Sequence, residues 1–139
     1  MDKLLDRAIL IAAKSHLGQV GRDGEPYVLH PIRMMIQAKT GEEKTVAVLH
    51  DVIEKTSVDI TYLRKAGFSD KIIQAIDSLT RRDSESYDEY IDRVEKNDLA
   101  IKIKIIDLDD NMSSLEHCRS NREASKKLIK YQKARARLI

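Results

Sequence analysis

The sequence predicts an all-α fold, a small helical bundle, and two observations carry that prediction. Aromatic residues make up only 4% of the chain and tryptophan is absent, against 42% hydrophobic residues in all. The core must therefore be aliphatic, which favours helices over a sandwich or barrel, since those lean on β-branched and aromatic side chains. The second observation is periodicity: apolar residues recur at spacings of three and four along most of the chain. A length of 139 residues fits one domain, 1–139, with one modest core.

The elements follow in order. Leu4, Leu5, Ala8, Ile11, Ala12 and Ser15 share one face of a first helix, and Gly18 ends it. Asp2, Lys3, Asp6, Arg7 and Lys14 interrupt its apolar run, so it is an amphipathic helix and not a signal peptide or membrane span. "GQVGRDGEPY", with three glycines and a proline, reads as a loop. A second helix starts near Pro31, a favoured first-turn residue, and runs to about position 39. "TGEE" separates it from a third, roughly 43 to 54. "SVDITYLRKAGF" is a short helix ended by Gly67. Ser69 caps the next, which carries Ile72, Ile73, Ile76 and Leu79 on one face. "RRDSESYDEYIDRVEKN" is a charged connector leading into a surface helix.

"IKIKII", at 101–106, alternates like a strand. No second strand is available to pair with it, and a lone strand is not stable. It is therefore read as part of a buried helix from about 98 to 115. The tail, 122 to about 137, is a basic helix with Leu128 and Tyr131 facing inward and its charges in solvent.

Charge and cysteine content exclude several function classes. A net charge of +2 is too weak to make nucleic acid the main partner. The single cysteine, Cys118, excludes an internal disulfide and any cysteine-cluster zinc site, and points to a reducing cytoplasm.

Four polar residues stand in apolar surroundings: His30 in "YVLHPIRM", His50 and Asp51 in "AVLHDVIEKT", and Asp107 in "IKIIDL". Burying such groups costs free energy unless something pairs with them. Each alone has an ordinary reading: His30 as a satisfied core histidine, Asp107 as a partner of Lys104, a His-Asp dipeptide as chance. Together, on helices that pack as neighbours, they form a mixed nitrogen and oxygen shell. That shell suits Mn²⁺, Fe²⁺ or another divalent transition metal rather than closed structural zinc.

"GEPYVLHPI", "LHDVIEKT" and "IKIIDLDDNM" occur in that order, and with them the chain resembles the HD-domain metal-dependent phosphohydrolases, specifically the hydrolase domain of the RelA/SpoT alarmone enzymes. The resemblance covers the chain from "AAKSHLGQ" to "NMSSL". It implies an all-α bundle with a metal site between helices, His30, His50, Asp51 and Asp107 as ligands, and Mn²⁺ as the usual ion. Glu54 falls where the family holds and activates the attacking water. The next family position is usually acidic, but here it is Lys55, which reverses the charge beside that water and is suited to a substrate phosphate.

The loop "GRDGEPY" resembles the family's "RKSGEPY", with Gly21 in place of its arginine and Arg22 in place of its lysine. Arg22 is therefore the candidate on the phosphate side. Asn111 and Ser114 match family positions near the sugar and phosphate. Leu108 and Asp110 replace an arginine and a histidine of the family's "ADRLHNM", which implies a pocket shaped for a different nucleotide. His16 is read as structural, at the negative end of the first helix, and His117 and Cys118 as solvated or packing residues.

The function this implies is hydrolysis of a small phosphorylated nucleotide, in its sharpest form release of 3′-pyrophosphate from guanosine tetraphosphate or a relative. Two rivals stay open. One is an HD phosphatase acting on a nucleoside monophosphate or a phosphorylated dinucleotide cofactor. The other is a catalytically weak nucleotide-binding sensor. The expected partner is that nucleotide, with no nucleic acid and no membrane; a homo-oligomer is compatible with the sequence.

Overall fold

The computed structural model describes residues 3–116 and 122–139. His117 and Cys118, read above as solvated or packing residues, lie outside the described residues. Nine helices run through the rest: α1 (Lys3–Ser15), α2 (Leu29–Gln37), α3 (Gly41–Leu49), α4 (Val52–Lys55), α5 (Ile60–Lys65), α6 (Asp70–Ser78), α7 (Tyr87–Glu95), α8 (Asp98–Glu116) and α9 (Arg122–Leu138). Among the described residues no strand occurs; Val20 and Pro26 form an isolated antiparallel bridge. The all-α expectation holds.

Local chemistry sets most of the boundaries. After α1 the chain turns at Gly18, whose φ of +86° is a left-handed value that glycine adopts without steric cost. The Ser69 side chain accepts from Ile72 N at the start of α6, as its sequence position suggests. Thr40 with Glu43 and Ser86 with Glu89 form capping boxes that open α3 and α7. Pro31 is the third residue of α2, still inside the first turn, where a missing N–H leaves no acceptor unpaired.

The core lies around α3. Val46, Ala47, Val48 and Leu49 are all fully buried, because α3 packs against α1, α2, α6 and α8. Removing a Val or Leu side chain from water contributes roughly 1.5–3 kcal/mol, so this one turn anchors much of the bundle. The tail helix α9 lies on α8 and buries Ala124, Ala134 and Leu138; Leu128 and Tyr131 are half-buried.

The segment 101–106 is helical, as expected. Its alternation misleads because one of its two lysines points inward: Lys102 is exposed, whereas Lys104 is buried. The third helix departs from expectation. Instead of one helix over 43 to 54, α3 stops at Leu49 and α4 resumes at Val52, with His50 and Asp51 in the turn between. Asp51 sits at φ −109°, ψ 0°, the sparsely populated bridge region where active-site residues recur.

Candidate metal centre

Three separate elements deliver the polar cluster. The loop 18–27 leads into α2 and places His30 in that helix's first turn. The break between α3 and α4 places His50 and Asp51. The middle of α8 places Asp107. Ligand atoms of His30, His50 and Asp107 all lie within 4.8 Å of one another, and all three residues are buried. His30 Nε2 is 3.0 Å from Asp107 Oδ1, and His50 Nε2 is 3.5 Å from the same oxygen. Asp51 borders this group, its Oδ2 3.1 Å from His50 Nε2, and it accepts the Tyr27 hydroxyl.

The orientation of His50 is the informative detail. Its Nδ1 lies 2.8 Å from the carbonyl of Ala47. A carbonyl can only accept, so Nδ1 carries a proton and Nε2 is the nitrogen left to face the cluster. That Nε2 is buried and has no hydrogen-bond partner. The nearby Asp51 and Asp107 oxygens are close to it but not aligned as hydrogen bonds. A buried unpaired polar atom costs about 1–3 kcal/mol. Facing carboxylates, it has the chemistry of a cation ligand, and this donor set fits a divalent metal.

The electrostatics favour positive charge at this spot. Burial alone would lower the pKa of His50, but the Asp51 and Asp107 carboxylates outweigh it and hold it up to about 10. Asp107 is held well below the carboxylate range despite its burial, first by Lys104 and then by the two histidines. Lys104 Nζ is 2.7 Å from Asp107 Oδ2, so the pairing that the sequence offered as the plain reading of Asp107 is also present. Asp107 uses one oxygen for Lys104 and turns the other to the histidines.

His30, Asp51, Lys104 and Asp107 line a cavity of about 370 Å³ that also takes in Arg22, Glu54, Lys55, Asn111 and Ser114. Its volume is in the range of small-ligand sites. His50 is not among the lining residues; the other candidates singled out from the sequence line this space. Glu54 is exposed and accepts the Arg81 N–H at 3.1 Å. The helix break means that Glu54 and His50 do not share one continuous helix face. Lys55 Nζ sits 4.5 Å over the Tyr27 ring, which parks its charge on the cavity wall. Asn111 Nδ2 donates to Asp107 Oδ1 at 3.1 Å. Arg22 rides on a tight loop: Gly21 N bonds Glu25 O at 2.8 Å, and Gly24 takes a φ of +84°.

Other residues have contacts at the site that the sequence did not assign to them. Asp110 is in contact with His30 and Arg33; although burial pushes its pKa up, those two hold it down to about 2. Its legible signal was its place one helical turn after Asp107. Lys130 and Tyr131 of α9 line the cavity, with Arg81 and Tyr87, so the basic tail is not only a solvated face. Lys130 Nζ lies 4.4 Å over the Tyr87 ring. No short-range pattern links position 130 to position 30. His16 is also corrected in its physics: it is buried at 2% exposure, and that burial pushes its pKa down. It is packed against Tyr27 and hydrogen-bonded to Gln19 rather than placed as a charge on the helix dipole.

No protein-family model matches the chain. It is 35% identical over 83 residues to a guanosine-3′,5′-bis(diphosphate) 3′-pyrophosphohydrolase of Borreliella burgdorferi, covering 57% of this chain and 12% of that one. It is 30% identical over 134 residues to the bifunctional (p)ppGpp synthase/hydrolase SpoT of Escherichia coli, covering 86% and 19%. The chain therefore spans less than a fifth of the length of these relatives. A solved structure of a metazoan ortholog of SpoT, described as hydrolysing ppGpp, superposes with a TM-score of 0.82 at 21% identity, covering 99% of this chain and 86% of that one. Among the described residues no helix is long and apolar enough to cross a membrane.

Proposed function

We propose that this chain, an HD-type domain of the RelA/SpoT hydrolase kind, is a metal-dependent phosphohydrolase that acts on a phosphorylated nucleotide. In its sharpest form it releases pyrophosphate from the 3′ position of guanosine tetraphosphate or a relative, with residues 1–139 as one catalytic domain working in the cytoplasm. The observation that carries this reading is the buried His50 Nε2, without a hydrogen bond, beside His30 and Asp107.

His30, His50, Asp51 and Asp107 would hold the ion, Mn²⁺ in the first instance. A divalent ion there supplies a Lewis acid that polarises a phosphoryl group and lowers the pKa of water. The remaining roles belong to the chain. Glu54, on the cavity wall, accepts a proton from the attacking water. Oxygen of that water bonds to phosphorus, the bond from phosphorus to the 3′ oxygen breaks, and pyrophosphate and a nucleoside 5′-diphosphate leave. Arg22 and Lys55 attract the substrate phosphates, while Asn111 and Ser114 fix the sugar side. Lys55, lying over Tyr27, offsets charge on the substrate instead of sharing the proton with Glu54.

Two features favour a second substrate, a different phosphorylated nucleotide: Lys55 stands where the resembling enzymes are usually acidic, and Asp110 where they have histidine. Phosphate and pyrophosphate release from a panel of nucleotides with Mn²⁺ present tests both. Pyrophosphate from guanosine tetraphosphate supports the first. Phosphate from a monophosphate or a phosphorylated dinucleotide supports the second. Tight nucleotide binding with no release would make the chain a sensor.

A further inference from the structure

Both histidines of the cluster have their Nδ1 tied, but by different means. For His50 the tether is local, the carbonyl of Ala47 three residues back. For His30 it is long-range: Nδ1 lies 2.6 Å from Oδ2 of Asp110, on another helix. Asp110 is itself gripped. Arg33, one turn along α2 from His30, donates Nε to Asp110 Oδ1 at 2.9 Å and Nη2 to Oδ2 at 3.0 Å. The fork is bidentate, a geometry that fixes the carboxylate plane as well as its charge.

We infer that Asp110 is a positioning residue for the metal centre, holding His30 through Nδ1 so that Nε2 is the nitrogen offered beside His50 and Asp107. This rests on the metal site proposed above. The physical argument is one of forced roles. A carboxylate only accepts, so Nδ1 must donate to Asp110, and only Nε2, whose own proton toward Asp107 a cation would displace, is left to serve as a ligand. Nε2 is also the atom on the cluster side, 3.0 Å from Asp107 Oδ1. Asp110 is not a ligand in this scheme: its oxygens are engaged by Arg33 and His30, and it lies outside the compact group of His30, His50 and Asp107. Arg33 in turn holds Asp110 through that fork. Carboxylates behind a ligating imidazole fix its tautomer and raise its basicity, and their loss costs about 10–100-fold in metal affinity. The resembling motif has a histidine where Asp110 stands, so the Arg33–Asp110–His30 chain is a feature of these residues and not of that pattern.

The test uses Co²⁺ as probe on the full chain. Affinity is read by competition with a chelator, and the visible absorption spectrum is read at saturation. Asp110→Ala is expected to bind Co²⁺ about 10–100-fold more weakly and to shift the spectrum of the saturated protein, because His30 is no longer held in one tautomer. Arg33→Met should show a smaller loss of the same kind. Should Asp110→Ala not fold, as judged by helical circular dichroism, Asp110→Asn decides: it keeps the size and one acceptor oxygen, and should still bind more weakly with a shifted spectrum. Wild-type affinity and an unchanged spectrum in the folded Asp110 variant, even with a lower melting temperature, would make the residue merely structural and overturn the inference while leaving the metal site standing. Failure of the wild type itself to bind Co²⁺ overturns the site and this inference together.

Discussion

Two dense clusters of charge among the described residues are built on opposite plans. Near the junction of α6 and α7, Glu85 receives the Arg93 guanidinium through both oxygens and the Arg82 N–H as well. Arg93 also donates to the carbonyls of Thr80 and Asp77, and Arg82 pairs with Asp77. That cluster is complete in itself. At the other, Asp107 has Lys104, Asp110 has Arg33 and Asp51 has Tyr27, yet His50 Nε2 is buried with nothing to bond. A cluster with all its partners serves to join helices. A cluster left one partner short, beside a cavity lined by His30, Asp51 and Asp107, is a place for something that arrives. The lesson is that completeness of hydrogen bonding, more than the number of charges, separates a structural ion network from a site.

Breaking each cluster should therefore have different consequences. The largest effect is expected from His50→Ala. It removes a ligand, and Mn²⁺ affinity should fall by more than about 100-fold, beyond what outer partners alone cost, with activity abolished. Equilibrium dialysis checks it. Metal binding at the wild-type level would remove His50 from the centre.

Next comes Glu54→Gln. Loss of a general base lowers turnover by about 10²–10⁴-fold, and metal content should not change, since Glu54 is not a ligand. Steady-state kinetics with metal content measured on the same sample would reveal a wrong assignment as full activity. Lys55→Asp has a smaller expected effect and the opposite sign. It restores the acidic pair of the resembling hydrolases and should raise turnover of guanosine tetraphosphate a few-fold. A variant and a wild type that both bind nucleotide tightly and hydrolyse none would favour a sensor.

The smallest effect belongs to the complete cluster. Glu85→Gln should cost about 1 kcal/mol and leave metal binding untouched. The sign with pH is fixed by the direction of the shift. Glu85 is held down from 4.5 to about 2, chiefly by its hydrogen bonds to Arg93, so the folded carboxyl binds its proton more weakly than the unfolded one. Its stabilisation is fully present above the unfolded value and is lost as pH falls from 4.5 through about 2. Denaturant unfolding of both proteins should show a gap near neutrality that closes over that acidic window. A gap that persists unchanged to low pH would mean that Glu85 contributes by packing.

How much of this was legible in the sequence depended on range. His30, His50, Asp51 and Asp107 stood out because polar groups in apolar runs need a reason, and that reasoning needs only neighbours in the chain. The helical reading of 101–106 also came from a local argument, the lack of a second strand. The break at His50 and Asp51 was hidden, because no glycine or proline marks it; it arises where a side-chain nitrogen takes the Ala47 carbonyl and Asp51 leaves helical backbone angles. Asp110 was noticed only as a departure from a motif, since its partners His30 and Arg33 lie 80 and 77 positions away. Lys104 was legible only as a partner for Asp107, and packing shows that it is buried. Lys130 reaches the cavity because α9 folds back on α8, which no periodicity in the tail encodes.

The central claim is that the incomplete cluster is completed by a divalent cation. Its most direct test is the metal content of the purified chain after equilibration with Mn²⁺ and removal of the excess. The account predicts about one ion per chain, the capacity of a single mixed nitrogen and oxygen shell, and none in His50→Ala. A wild-type chain that holds no transition metal after that treatment would contradict it.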